Sequence, residues 1–169
     1  MLLQPIRSVN YNNKINRVNM NRINFRSKTL LPDFVKEFGE GLYRGRRPDL
    51  KELDQLSKMG ITTIVDFSTK DPSCFNEAEY AAKYGMKYFA LPFDMSDVTN
   101  SIPAQQFFDI IYNVKQAKGK LYAHCLLGID RTGLMVNLYK IRSGLPLNDS
   151  NWMQQSLAES LYILHGLNK

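Results

Sequence analysis

The side chains best suited to chemistry fall within one ten-residue string, HCLLGIDRTG, at residues 124–133. Cys125 is separated from Arg131 by five residues, and Thr132 follows the arginine directly. A strand that turns tightly into a helix points backbone N–H groups inward and forms an anion-binding nest. The planar guanidinium of Arg131 can bind two phosphate oxygens at once. The string therefore predicts a phosphate site with a thiol at its base, and we call residues 125–131 the cradle loop.

Each position of the cradle loop has an expected part. Thiols at helix N-termini or beside cations form thiolates readily, so Cys125 is the expected nucleophile. Gly128 permits the backbone turn. Thr132 would place a hydroxyl near the sulfur, and His124 is expected to orient the loop by hydrogen bonds. The predicted phosphate-binding residues are Leu126, Leu127, Gly128, Ile129, Asp130 and Arg131.

The stretches around this string alternate between strand-like and helix-like patterns, which indicates an α/β domain. The predicted strands are 61–67, 87–91 and 120–124, and helices are expected to begin near Pro48, Glu77, Pro103, Thr132 and Asn148. Asp49 and Glu52 have the spacing of a capping box. The predicted core-facing residues are Leu50, Leu53, Leu56 and Met59 of the first helix, Leu134, Met135, Leu138 and Ile141 of the fourth, and Trp152, Leu157 and Leu161 of the last.

The positive charge is concentrated at the N-terminus. Residues 1–32 contain six of the 22 basic residues and no acidic one, which leaves 16 of each sign in residues 33–169. We therefore divide the chain into a basic N-terminal extension, residues 1–32, and a catalytic domain, residues 33–169. The extension is either a solvated arm or edge strand laid over the domain, or a surface for anionic partners such as a membrane, a nucleic acid or a phosphorylated substrate.

Composition favours a cytoplasmic enzyme. No apolar run reaches the roughly 18–20 residues of a membrane span, and the N-terminus lacks the apolar region of a secretory signal. Cys74 and Cys125 are too few for a disulfide framework, which suits a reducing compartment. His165 is the only histidine besides His124, and it has no ligand spacing around it, so no metal or cofactor is expected.

The string matches the HC-x5-R-[ST] signature of the protein tyrosine phosphatase superfamily, and the chain length resembles its dual-specificity branch. GLYRGRRPD, followed by a helix and GITTIVDF, is similar to the opening of small bacterial and atypical dual-specificity phosphatases. The resemblance covers roughly residues 40–143. It implies a single domain with a central, mostly parallel sheet flanked by helices, a phosphocysteine intermediate and no metal cofactor.

The resemblance also implies an aspartate that protonates the leaving oxygen, about 30 residues before the cysteine. Asp94 lies 31 residues upstream of Cys125 and Asp97 lies 28 upstream. Asp94 follows a predicted strand end and is the preferred general acid. Asp97 and Asp130 are the alternatives.

Other charged residues have weaker expectations. Arg44, Arg46 and Arg47 are candidates for the pocket mouth, although at least two are expected to be solvated or to form packing pairs. Asp66 ends a predicted strand and is expected to accept hydrogen bonds from backbone donors.

Several substrates fit such a site. The leading prediction is protein phosphotyrosine with dual specificity. The alternatives are a phosphoinositide or another small phosphorylated molecule, an RNA 5′-phosphate, and phosphate binding without catalysis. The variable loop positions include no lysine, and Asp130 would repel additional phosphates. However, Asp130 followed by Arg-Thr resembles the loop of myotubularin-type lipid phosphatases, which keeps phosphoinositides open.

Overall fold

The computed structural model describes residues 30–68, 76–95, 101–147 and 152–167. Its five strands lie in the order β1-β2-β5-β3-β4. They are β1 Val35–Gly39, β2 Leu42–Arg46, β3 Thr63–Asp66, β4 Lys87–Ala90 and β5 Leu121–Cys125. Only the β1–β2 pair is antiparallel among these strands, whereas β2, β5, β3 and β4 run parallel. The predicted α/β fold with a mostly parallel sheet is confirmed.

Five helices accompany the described strands. They are α1 Leu50–Lys58, α2 Glu77–Lys83, α3 Ile102–Gln116, α4 Asp130–Arg142 and α5 Trp152–Leu164. Successive strand residues face opposite sides of the sheet. Val65 and Ala123 accordingly join a core with side chains of α3, α4 and α5, whereas Ile64 and Tyr122 join a second core with side chains of α1 and α2. The sheet is therefore covered on both faces, and β5 lies in its centre.

Helix α1 begins with the predicted capping box. The Asp49 carboxylate accepts a hydrogen bond from the Glu52 amide at 2.8 Å, and the Glu52 carboxylate accepts one from the Asp49 amide at 2.9 Å. Leu53 and Leu56 are fully buried as predicted. The prediction was wrong for Leu50, which is 43% exposed. Helical side chains tilt toward the N-terminus, so the first residue projects past the end of the helix.

Helix α4 begins at Asp130, two residues before the predicted start. Residues 132–140 are all buried, because the helix contacts β5, α3 and α5. Because α4 is enclosed by other elements, its sequence does not separate into one apolar and one polar face. Leu134, Met135 and Leu138 are buried as predicted, whereas Ile141 near the helix end is only partly buried.

Two further predictions concern helix α5. Leu161 is buried and Leu157 packs against the same core, as predicted.

Several predictions lie outside the described residues. They concern the side chain of Trp152, the N-terminal extension up to residue 29, Cys74 and Asp97. No helix in the described ranges is long and apolar enough to cross a membrane.

Candidate active site

The cradle loop joins the carboxyl end of the central strand to the start of a buried helix. Strand β5 ends at Cys125, and α4 begins at Asp130. Cys125 is 4% exposed. The carboxyl end of a parallel strand is the usual place for a ligand site, and a helix N-terminus favours anions. The structure therefore places the candidate nucleophile where a phosphate would be stabilised.

Glycine is required at the turn of this loop. Gly128 has a φ of +72°, and a Cβ added there would lie 2.3 Å from the backbone carbonyl of Gly45. The loop thus rests on the backbone at the end of β2. Two hydrogen bonds support it: Arg44 donates to the Gly128 carbonyl at 2.8 Å, and the Arg47 amide donates to the Leu126 carbonyl at 3.2 Å.

Arg131 joins the cradle loop to the segment that carries the candidate acid. Its Nε donates a hydrogen bond to the Phe93 carbonyl at 2.9 Å. The Phe93 ring packs edge-on against Phe67, with 6.1 Å between ring centroids, which anchors this segment to the core. Asp94 follows Phe93 directly and is exposed. The general-acid role of Asp94 stays a prediction. The alternative acid Asp130 is also exposed and is the first residue of α4.

Thr132 is fully buried, and no group within the described ranges hydrogen-bonds to its Oγ1. A hydroxyl can both donate and accept, so this side chain retains hydrogen-bonding capacity beside the cradle loop. Stabilisation of the sulfur by this hydroxyl stays a prediction.

His124 is fully buried and lies between two carboxylates. Its Nε2 is 2.8 Å from Oε1 of Glu77, and its Nδ1 is 3.6 Å from Oδ1 of Asp66. The Nδ1 contact is too long for a hydrogen bond, and the shorter Nε2 contact lacks the alignment of one. The ring stacks on Tyr122 with centroids 5.8 Å apart. In the described part of the chain the ring nitrogens of His124 thus make no aligned hydrogen bond, and the ring lies between the two carboxylates and against Tyr122.

Arg47 completes a buried charge cluster with Asp66, Glu77 and His124. Its guanidinium lies 3.6 Å from Asp66 and 3.8 Å from Glu77. Asp66 accepts the predicted backbone hydrogen bond, from the Ser68 amide at 2.7 Å, and another from the Tyr88 hydroxyl at 2.9 Å. Sequence reasoning missed the cluster, because nothing local links its members.

Two side chains have shifted pKa values here: Asp66, which belongs to the buried charge cluster, and Tyr88, which donates a hydrogen bond to it. Burial alone would raise the pKa of the Asp66 carboxyl, but the charge of His124 and the hydrogen bonds from Ser68 and Tyr88 outweigh burial and hold it below its usual value. Burial, followed by the negative charge of Asp66, raises the pKa of the Tyr88 phenol. Asp66 is therefore an anion at neutral pH, and Tyr88 remains a hydrogen-bond donor.

Asp66, Glu77 and His124 could also be considered as metal ligands. One ligand atom from each lies within 4.8 Å of the others. However, the Arg47 guanidinium already pairs with both carboxylates and provides the positive charge that a metal ion would bring. The arrangement fits an internal ion network better than a metal centre.

The three arginines that were candidates for the pocket mouth have different roles. Arg44 is buried and bonds to Gly128, and Arg47 belongs to the buried charge cluster. Arg46 is exposed and pairs with Glu52. The expectation that at least two form packing pairs or are solvated is confirmed.

The side chains of the cradle loop form an exposed, largely apolar surface. Leu126, Leu127 and Ile129 are 54%, 65% and 52% exposed. We call these three residues the apolar rim. Asp130 lies next to the rim and is also exposed.

A mostly parallel sheet whose central strand ends in Cys-x5-Arg at a helix N-terminus defines a phosphatase of the dual-specificity and protein tyrosine phosphatase type. Comparison with known sequences agrees. Residues 38–145 match the family Tc-R-P, described as "Polymorphic toxin system, DSP-PTPase phosphatase", and the chain belongs to this family.

Individual relatives show the same class. The chain is 31% identical over 123 residues to human (Homo sapiens) dual specificity protein phosphatase 6, which corresponds to 70% of this chain and 30% of that protein. The chain thus spans less than a third of the length of this relative. Among solved structures, Tk-PTP in its active form has a TM-score of 0.64 at 15% identity, covering 82% of this chain and 97% of the other.

A second solved structure with a similar fold is described as a PP-IP phosphatase. The core catalytic domain of the PP-IP phosphatase SIW14 from S. cerevisiae, in complex with citrate, has a TM-score of 0.63 at 13% identity. It covers 82% of this chain and 94% of that one. At such low identity these structures establish the fold alone. Membership of the family is therefore established, and the substrate class is left open.

Proposed function

We propose that this protein hydrolyses phosphate monoesters through a phosphocysteine intermediate and that its substrate is protein phosphotyrosine, with phosphoserine and phosphothreonine also accepted. The observation that carries the proposal is the position of Cys125. It is buried at the end of the central strand, at the N-terminus of α4, with Arg131 six residues later on that helix.

The reaction proceeds in two displacements at phosphorus. The Cys125 thiolate attacks the phosphorus atom and forms an S–P bond, while the bond to the leaving oxygen breaks and Asp94 protonates that oxygen. Water then attacks the phosphocysteine and gives up a proton to the Asp94 carboxylate. Inorganic phosphate and the thiolate are released. Arg131 and the backbone N–H groups of the cradle loop stabilise the charge on the phosphate oxygens in both steps.

The surface around the cradle loop supports an aromatic ester as substrate. The apolar rim offers exposed Leu126, Leu127 and Ile129 side chains to the group that carries the phosphate. A tyrosine ring can bury apolar area against such side chains. A ring with several additional phosphates would instead meet Asp130 and no basic side chain among the variable loop positions.

The second candidate is a phosphoinositide or another small phosphorylated molecule, and an RNA 5′-phosphate is a further alternative. The feature that favours these substrates is the basic N-terminal extension, which has six positive residues and no acidic one. An anionic surface would attract this segment whatever substrate occupies the cradle loop.

A phosphate-release panel tests the proposal. The full chain is assayed on phosphotyrosine, phosphoserine and phosphothreonine peptides, phosphoinositides, an inositol pyrophosphate and triphosphorylated RNA. We expect the highest kcat/KM on phosphotyrosine peptides, with activity that survives a chelator and is blocked by vanadate. A preference for a phosphoinositide or an inositol pyrophosphate would support the second candidate. A preference for triphosphorylated RNA would support the further alternative.

The Cys125→Ser variant tests the chemistry independently of the substrate. Turnover should be abolished, whereas inorganic phosphate should still bind, because the backbone donors and Arg131 remain. Substantial turnover by the purified variant would rule out Cys125 as the nucleophile.

A further inference from the structure

Arg44 is a buried cation whose position the proposed reaction does not explain. It lies on β2, is 9% exposed, and donates from its Nη2 to the carbonyl of Gly128 at 2.8 Å. Gly128 is 84 residues away in the sequence and lies in the turn of the cradle loop. Burying a guanidinium is unfavourable unless its hydrogen bonds are well made. The contact therefore indicates a specific role for this arginine.

The hydrogen bond fixes the orientation of one peptide group. In a trans peptide the C=O and the following N–H point in opposite directions. Because the Gly128 carbonyl points at the Arg44 guanidinium, the amide N–H of Ile129 points away from that guanidinium. The Cα of Gly128 rests on the backbone of Gly45, so β2 forms the back of the loop.

Glycine makes such a restraint necessary. Gly128 has a positive φ, and glycine also adopts other backbone conformations at little cost. If the peptide between Gly128 and Ile129 rotated by half a turn, its carbonyl oxygen would point into the cradle. A carbonyl dipole in that orientation would repel a phosphate instead of stabilising it.

We propose that Arg44 is a positioning residue, which holds the Gly128–Ile129 peptide with its carbonyl away from the phosphate and its N–H toward it. The inference rests on the phosphate site proposed above. It goes beyond that proposal because it assigns a supporting role to a residue of another strand. Arg44 does not need to touch the substrate for this role.

Phosphate binding measured in the Cys125→Ser background tests the inference, because turnover is removed while the cradle is retained. Arg44→Met removes the donor and keeps much of the side-chain volume. Arg44→Lys keeps the charge and one donor. Arg46→Met is the matched control, because Arg46 lies on the same strand but is exposed and pairs with Glu52. All three variants are made in the full chain, and their unfolding midpoints are compared.

We expect Arg44→Met to weaken binding of inorganic phosphate by about tenfold or more, the scale of a hydrogen bond to a charged group. Arg44→Lys should recover part of this loss, and Arg46→Met should stay within about twofold of its parent. Folded Arg44→Met with unchanged affinity would overturn the inference, as would an equal loss in Arg46→Met. If Cys125→Ser alone binds no phosphate, the proposed function fails instead.

A spectroscopic measurement tests whether Arg44 orients the Gly128–Ile129 peptide or instead acts by stabilising the fold or through its positive charge. Phosphate is titrated into ¹⁵N-labelled protein, and the amide signal of Ile129 is followed. In the parent, this amide should shift as it donates to phosphate, whereas in Arg44→Met the shift should be lost while the Arg131 amide still responds. If Arg44→Met does not fold, Arg44→Lys should show a reduced Ile129 shift. An undiminished Ile129 shift in the folded variant would contradict the proposed role.

Discussion

The Nε2 atom of His124 lies 2.8 Å from Oε1 of Glu77, and both side chains are buried. His124 directly precedes the proposed nucleophile, and Glu77 is the first residue of α2. The contact therefore links a short peripheral helix to the base of the candidate active site. Arg47, paired with Glu77 and Asp66, extends this link to the segment after β2.

Replacing Glu77 with Gln should destabilise the protein, because Arg47 and His124 would lose a buried negative partner. Breaking a buried ion pair on one side typically costs about 3–5 kcal/mol. We expect a loss near the lower end, because glutamine retains the shape, and urea unfolding measures it. Glu79→Gln, which removes an exposed pairing on the same helix, should leave the unfolding midpoint nearly unchanged. Equal stability of the two variants would contradict a structural role for the buried charge cluster.

Asp66 should contribute to acid sensitivity. Its pKa is lower in the folded protein than in the unfolded chain, because His124, Ser68 and Tyr88 together outweigh the effect of burial. The unfolded chain therefore binds a proton first as the pH falls, and the stabilisation is present above the unfolded value of about 4. It is lost as the pH drops toward the folded pKa. In Asp66→Asn, the free energy of unfolding should fall less steeply below about pH 5 than in the parent. An unchanged slope would show that Asp66 does not titrate in this way.

Asp94→Asn should slow the enzyme in proportion to the basicity of the leaving group. A poor leaving oxygen must be protonated as its bond breaks, and such help is worth roughly 10²–10⁴-fold. Phosphotyrosine should therefore be affected far more than an activated aryl phosphate, as measured by kcat on the two substrates. Asp97→Asn and Asp130→Asn are the controls. If one of them shows the leaving-group dependence and Asp94→Asn does not, the acid is misassigned.

Removing residues 1–28 should separate binding from turnover. Their charges act through a field that is largely screened beyond roughly 8 Å at physiological salt. We expect weaker binding to anionic lipid vesicles and nearly unchanged kcat/KM on a small aryl phosphate. A folded truncated protein without activity on the small substrate would place this segment within the site.

The cradle loop could be predicted from sequence because its parts are contiguous. A strand, a turn with glycine and a helix start occupy ten residues, and each has a local signature. The supporting residues could not be predicted, because their positions depend on which strands are neighbours. Arg44 reaches Gly128 only because β2 pairs with β5, and Glu77 meets His124 only because α2 packs beside β4.

Errors at the ends of elements have a similar origin. Helix α4 starts earlier than its apolar pattern suggests, since the pattern begins only where the helix becomes enclosed. Leu50 looks like a core residue by spacing, but its place at the first turn directs it past the helix end.

The close approach of Gly128 to Gly45 has an evolutionary consequence. A side chain at Gly128 would collide with the backbone of Gly45, and one at Gly45 would collide with the Phe34 carbonyl and the Tyr122 hydroxyl, so both positions are constrained by close packing. The outward-facing Leu126, Leu127 and Ile129 carry no such constraint. Under the proposed function, substrate preference can therefore diverge through three surface positions while the backbone of the cradle loop is inherited unchanged.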